Sequence, residues 1–155
     1  MNTSTQREKF PIVTLYIKKY KDIEEMIKKY KYHYVAFQIR SPKIYVDWSL
    51  YPKNMEMKFF QFDGQRTKNE MTKTMEKEGF SHGSIEHLIA IKNHLTPFQK
   101  KYKILALNTH WEAGFFLELY PFIHGDTKSL DVMGIIIDQT TWPEDTLFLG
   151  VRKSK

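Results

Sequence analysis

The sequence predicts an α+β fold: a single domain over residues 11–155, with two to three short helices and an antiparallel sheet ending in a C-terminal run of four strands. Three observations predict it. Asp22 with Glu25, and Thr67 with Glu70, have capping-box spacing, and apolar residues follow each pair at helical intervals. From residue 103 onward, runs rich in β-branched and aromatic residues are separated by glycine-bearing turns. Strands and helices do not alternate regularly, which argues against a doubly wound parallel sheet.

The elements follow in order. Residues 1–10 read as a flexible tail, and Ile12–Ile17 reads as a first strand. Asp22 opens the first helix, where Ile23, Met26, Ile27 and Tyr30 make one apolar face and Lys28, Lys29 and Lys31 lie off it. Cations near its C-terminus suit the helix dipole. Two extended pieces are expected near 34–40 and 43–48, with a turn at Ser41-Pro42 between them and another at Pro52-Lys53-Asn54. Met55–Phe62 reads as a strand with Met55, Met57 and Phe59 on one face, ended by Asp63-Gly64. Thr67 caps the second helix, Met71 and Met75 stack along it, and Gly79 with apolar Phe80 ends it. Ser84 starts a third helix with Ile85, Leu88, Ile89 and Leu95 as its stripe. Thr96-Pro97-Phe98-Gln99 opens a brief helical turn running to about Tyr102. Four strands are then expected at 103–111, 115–123, 129–138 and 147–152. Glu112-Ala113-Gly114 makes the first hairpin loop, Pro121 signals an edge or bulge, and a loop fills 139–146.

Composition narrows the functional classes. The chain has 155 residues, one domain's worth, and no cysteine, so disulfides and thiolate metal sites are excluded. The N-terminal residues lack an apolar signal-peptide core and no run is long enough to span a membrane, so a cytoplasmic protein without membrane contact is expected. Residues 1–103 carry 20 Lys/Arg against 11 Asp/Glu, whereas residues 104–155 carry 4 against 7. A front half at +9 facing a back half at −3 sets up a field that attracts polyanions to the front.

Over about residues 55–155 the chain resembles a family of small uncharacterised bacterial proteins. The matching pieces are Glu78-Gly79-Phe80, Glu86–Ala90, Lys103–Trp111 and, most specific, the ending Leu147–Lys153. Ser81-His82-Gly83-Ser84 and Thr109-His110 depart from that family's pattern. The resemblance implies a shared fold and no chemistry.

Motif chemistry excludes several enzymes. Gly83-Ser84 lacks a nucleophile-elbow pattern, and no Gly-Lys-Ser/Thr phosphate loop or dinucleotide fingerprint occurs. His87 and His94 are seven apart, two helical turns, which is too far for one ion; no metal and no cofactor are expected. The main functional signal is the interleaving of cations and rings in residues 16–45. Lys18, Lys19, Lys21, Lys28, Lys29, Lys31, Arg40 and Lys43 would hold phosphates, and Tyr32 and Tyr34 would stack on unpaired bases. The leading expectation is a non-enzymatic protein binding nucleic acid, RNA or DNA, through that face. One alternative is a protein partner met by the acidic C-terminal β region with Trp142 as anchor. Another is a small metal-independent nuclease or other hydrolase using His110 and His124 as acid and base.

Overall fold

Apolar residues recur with period two in some stretches and near four in others, and the chain folds accordingly. The computed structural model describes residues 10–40, 44–62, 65–95, 99–124, 129–136 and 139–153. The elements in order are β1 (Val13–Ile17), α1 (Ile23–Tyr30), β2 (Tyr34–Val35), β3 (Lys53–Phe60), α2 (Lys68–Lys77) and β4 (Ser81–His82). Then come α3 (Ile85–Ile91), β5 (Lys103–Leu105), β6 (Trp111–Gly114), β7 (Leu117–His124), β8 (Ser129–Ile136) and β9 (Thr146–Lys153). Short 3₁₀ turns fill parts of the connections.

All nine strands among the described residues join one mixed sheet in the order β1-β3-β9-β5-β7-β8-β2, with β4 also on β9 and β6 also on β7. Alternation along each strand gives the sheet two apolar faces. Leu15 and Ile17, Met55, Met57 and Phe59, and Leu147, Leu149 and Val151 share one face with Ile104, Ile123 and Leu130. That face is covered by Ile23, Met26 and Ile27 of α1 and by α3, all seven of whose residues are buried. The other face presents Phe60, Leu105, Tyr120, Phe122, Ile135 and Phe148 to Met71 and Met75 of α2 and to Phe80. The protein is therefore α+β, a mixed sheet between three helices.

The helix ends form as their residues dictate. Asp22 accepts from the Glu25 N–H at 2.9 Å. Thr67 Oγ1 accepts from the Glu70 N–H at 3.1 Å while Glu70 Oε1 accepts from the Thr67 N–H at 2.8 Å, a reciprocal cap worth about 1 kcal/mol. Beyond α2, Gly79 takes φ +83, and the N–H groups of Gly79 and Phe80 close onto Glu76 and Met75. Arg152 of β9 then seals that end. Its guanidinium donates to the Glu78 carbonyl at 3.0 Å and to Glu56 at 2.6 Å, and lies 4.4 Å from the Phe80 ring centroid.

Several expectations are corrected. Three of the four expected C-terminal strands, β5, β7 and β8, pair antiparallel as expected, and the fourth, β9, does not extend the run. β7 pairs antiparallel with β5, β6 and β8, but β9 lies between β3 and β5 and is parallel to β5. The reason is its inner face: Leu147, Leu149 and Val151 are buried beside Phe59, Met57 and Met55, a central position that an outer strand after β8 would not supply. The strand expected at 103–111 stops at Leu105. The expected strand at 34–40 shrinks to Tyr34–Val35, because Ala36 and Ile39 are both buried and a strand would put residues three apart on opposite faces. A 3₁₀ turn over Phe37–Arg40 brings them to one side. Residues 44–47 join no ladder, and Asp47 caps a 3₁₀ turn at Trp48–Leu50. The first hairpin turns at Phe115-Phe116, Phe116 having φ +60, while Glu112–Gly114 belong to β6. Phe10, placed with the tail by sequence, is buried against Phe59 and Tyr102. The expected turns at Ser41-Pro42 and Asp63-Gly64 lie outside the described residues.

Candidate nucleic-acid interface

The placement of the lysines follows from α1. Its apolar stripe is bound to α3 and the sheet, so Lys28 and Lys29 project to solvent. Lys18, Lys19 and Lys21, in the link from β1, and Lys31, in the left-handed conformation after the helix, are exposed as well. From Lys21 to Lys31 the chain rises roughly 15 Å along the helix direction. Acids punctuate this strip: Asp22 caps the helix, and Glu25 Oε1 accepts from the Lys21 N–H at 3.0 Å. At the far end Lys92 adds a cation. Its ammonium donates to the carbonyls of Tyr30 and Lys31 and stands 4.8 Å from the Tyr32 ring centroid.

The tyrosines of this stretch have different fates. Tyr32 is not a stacking surface. Its hydroxyl donates to the Ile89 carbonyl at 2.8 Å, Lys92 lies over its ring, and burial raises its pKa well above the phenol range. This corrects its expected role: it ties α1 to the last turn of α3. Tyr30 is half-buried, and burial together with neighbouring Tyr20 pushes its phenol up to about 12. Tyr16 is exposed but faces away from Leu15 and Ile17, so it stands on the opposite face of the sheet from α1. Tyr34 is exposed at the β2 edge, with Phe37 beyond it, at the other side of the sheet from β1. The Arg40 side chain and Lys43 lie outside the described residues.

Tyr45 is 80 % exposed and stands between two shallow clefts. One, of about 260 Å³, is bounded by Lys21, Asp22, Ile23 and Trp48. The other, of about 230 Å³, is bounded by Asn108, Thr109, His110 and Trp111. Ile44 and Tyr45 form the ridge common to both. The segment sits there because Val46 is buried in the core, while Trp48 packs edge-to-face on Tyr20 at 5.6 Å. The fold thus brings Lys21 to a free aromatic ring 24 residues away and places half-buried indoles on either side of it. Sequence reading put Tyr45 in the interleaved stretch without singling it out. Its neighbours Asn108–Trp111 could be found only from the tertiary fold.

The remaining candidates are placed as follows. His110 Nε2 lies 3.3 Å from Glu118 Oε2, and its ring covers Tyr120 at 5.4 Å. His124 Nε2 lies 4.0 Å from Asp131 Oδ2. Four strand positions, about 13 Å, separate Tyr120 from His124, so the two histidines are not brought together. His87 is buried, its Nδ1 accepting from the Ser84 N–H at 2.9 Å, whereas His94 is exposed. Trp142 packs edge-to-face on Phe148 at 5.1 Å and donates from Nε1 to the Arg66 carbonyl at 2.9 Å, so it closes the α2 face of the core. Among the described residues no three metal-ligating side chains cluster, and no helix is long and apolar enough to cross a membrane. No known protein family, curated protein or solved structure matches the chain, so the resemblance over residues 55–155 rests on its motifs alone.

Proposed function

We propose that the protein binds single-stranded nucleic acid along the outer side of α1 and over the Tyr45 ridge. One observation carries this reading: an almost fully exposed tyrosine shares a cleft with Lys21, at the end of a strip in which Lys18, Lys19, Lys28, Lys29 and Lys31 are all exposed. A base stacks on Tyr45, its neighbours enter the flanking clefts, and the lysines neutralise phosphates. A flexible ammonium suits this role because it follows a backbone without demanding a fixed geometry. Duplex DNA is a poorer fit, since among the described residues no recognition helix stands free of the core to enter a groove.

The test is a fluorescence anisotropy titration with mixed-sequence single-stranded RNA and DNA oligonucleotides at several salt concentrations. Each phosphate neutralised contributes about −0.7 to the slope of log K against log salt, so six lysines set a limit near −4. Tyr45→Ala should weaken binding by about tenfold or more, as expected for loss of one stacked base. Lack of binding at low salt, or binding indifferent to Tyr45, would overturn the reading.

A second reading has its own observation. Phe115 and Phe116, at the tip of the β6–β7 turn, are 96 % and 71 % exposed, with exposed Ile136 near the same end of the sheet. Such a diaromatic tip in an acidic region suits a protein partner better than a phosphate backbone. It moves the expected protein anchor from Trp142 to the hairpin. Retention of a host protein by the wild type and its loss with Phe115→Ser, alongside unchanged oligonucleotide binding, would support it.

A further inference from the structure

On the face opposite α1, a cleft of about 190 Å³ opens at the first turn of α2. Leu107, Ile135, Ile136 and Trp142 give it apolar walls. Thr67, Asn69 and Gln139 also line it, and three further polar residues, Lys68, Tyr120 and Glu118, meet at one point. Lys68 Nζ lies 3.4 Å from Tyr120 Oη and 5.2 Å from that ring's centroid. Tyr120 donates to Glu118 Oε1 at 2.7 Å, and the other oxygen of Glu118 faces His110 Nε2 at 3.3 Å. The polar chain Lys68–Tyr120–Glu118 therefore belongs to the cleft lining, and it continues to His110 outside the cleft. The Tyr120 ring is buried in the apolar cluster on this face of the sheet.

We propose that this cleft is a reactive site in which the Lys68 amine captures a small aliphatic or aromatic carbonyl compound as an imine. Burial lowers the Lys68 pKa below its usual value, against a partial opposing pull from Glu118, so a larger share of this amine is neutral than the usual value would give. Its other titratable neighbour is His82 of β4, whose own pKa is pushed down to about 4 by burial and then by Lys68, and which stays neutral near pH 7. Burial and the adjoining carboxylate hold the Tyr120 phenol protonated, and its one hydrogen, which rests on Glu118, can turn to the carbonyl oxygen.

The chemistry balances without an oxidant or reductant. The amine lone pair forms the C–N bond while the carbonyl π pair moves to oxygen. A proton passes from nitrogen to that oxygen through the Tyr120–Glu118 pair, giving a carbinolamine. A second proton carries the hydroxyl away as water and is returned when the iminium nitrogen gives up its hydrogen. One amine and one carbonyl yield one imine and one water. The apolar walls select a hydrocarbon substituent, and the volume restricts it to a few carbons or a single ring.

The experiment incubates the full chain with propionaldehyde or benzaldehyde at pH 7 in the presence of sodium cyanoborohydride, which reduces any imine to a stable secondary amine. Peptide mass mapping then gives the labelling rate at every lysine. The proposal expects Lys68 to be labelled at least tenfold faster than the median lysine. Tyr120→Phe should reduce that rate several-fold without altering labelling of Lys28 or Lys29, which also shows that the variant is folded. Lys68 labelled no faster than the exposed lysines of α1 in the wild type would overturn it, whatever the variants do.

Discussion

The Tyr51 hydroxyl donates to Glu86 Oε2 at 2.6 Å, joining the segment just before β3 to the first turn of α3 through the core. The same oxygen lies 3.2 Å from His87 Nε2. Because His87 Nδ1 already accepts from the Ser84 N–H, its Nε2 carries the hydrogen and donates to Tyr51. Three buried polar side chains are thus linked in one line, from a helix cap to a carboxylate. Burial, then Glu86, raises the Tyr51 pKa far above the phenol range, so the tyrosine remains a donor.

Tyr51→Phe removes the middle of that line and leaves the buried Glu86 Oε2 and His87 Nε2 without their Tyr51 partner. Urea unfolding should show a loss of about 1–3 kcal/mol, the cost of orphaning buried polar groups. A loss below about 0.5 kcal/mol would mean that water already serves them.

Acid should destabilise the fold through two histidines. Burial lowers the pKa of His82 from 6.5 to about 4 and that of His87 in the same direction. Both are therefore neutral in the folded state where the unfolded chain binds a proton. The stability they contribute is complete above pH 6.5 and is lost as pH falls from 6.5 toward 4. Urea midpoints measured across this range should fall with acid, and His82→Asn should flatten the curve by about one proton's worth of slope relative to wild type. Parallel curves would contradict the assignment.

Two glycines of the sheet, Gly150 in β9 and Gly134 in β8, should respond oppositely to alanine. A Cβ on Gly150 would stand 2.6 Å from Phe60 Cε2, in a core that cannot yield, so Gly150→Ala should cost about 1–3 kcal/mol. At exposed Gly134 the nearest atom is a Leu117 methyl at 3.2 Å, the end of a side chain that can turn aside. Gly134→Ala should be neutral or slightly stabilising in the same thermal or urea melt.

What could be read from sequence was local. Caps at Asp22 and Thr67, the Gly79 stop and the Met55/Met57/Phe59 alternation act over a few residues, and each formed as read. The position of β9 depends on β3, more than 80 residues earlier, and no period within either strand encodes that neighbour. The spacing of Ala36 and Ile39 did carry a signal for a 3₁₀ turn, masked by flanking Val35 and Phe37, which have high strand propensity. Phe115-Phe116 misled for the same reason: large apolar residues at a turn look like strand. Tyr32 and Tyr34 are alike by composition, and only the carbonyls of α3 decide which one is tied down. The Lys68–Tyr120 pair spans 52 residues, and of its chain of contacts only His110 was visible beforehand.

The central claim, that nucleic acid lies across the Tyr45 ridge, is tested most directly by ultraviolet cross-linking of a bound single-stranded oligonucleotide followed by peptide mass mapping. The account predicts adducts concentrated at Tyr45, with Trp48 or Trp111 next, and their loss in 0.5 M salt. Adducts confined to Phe115, Phe116 or Tyr16, on other surfaces of the molecule, would contradict it.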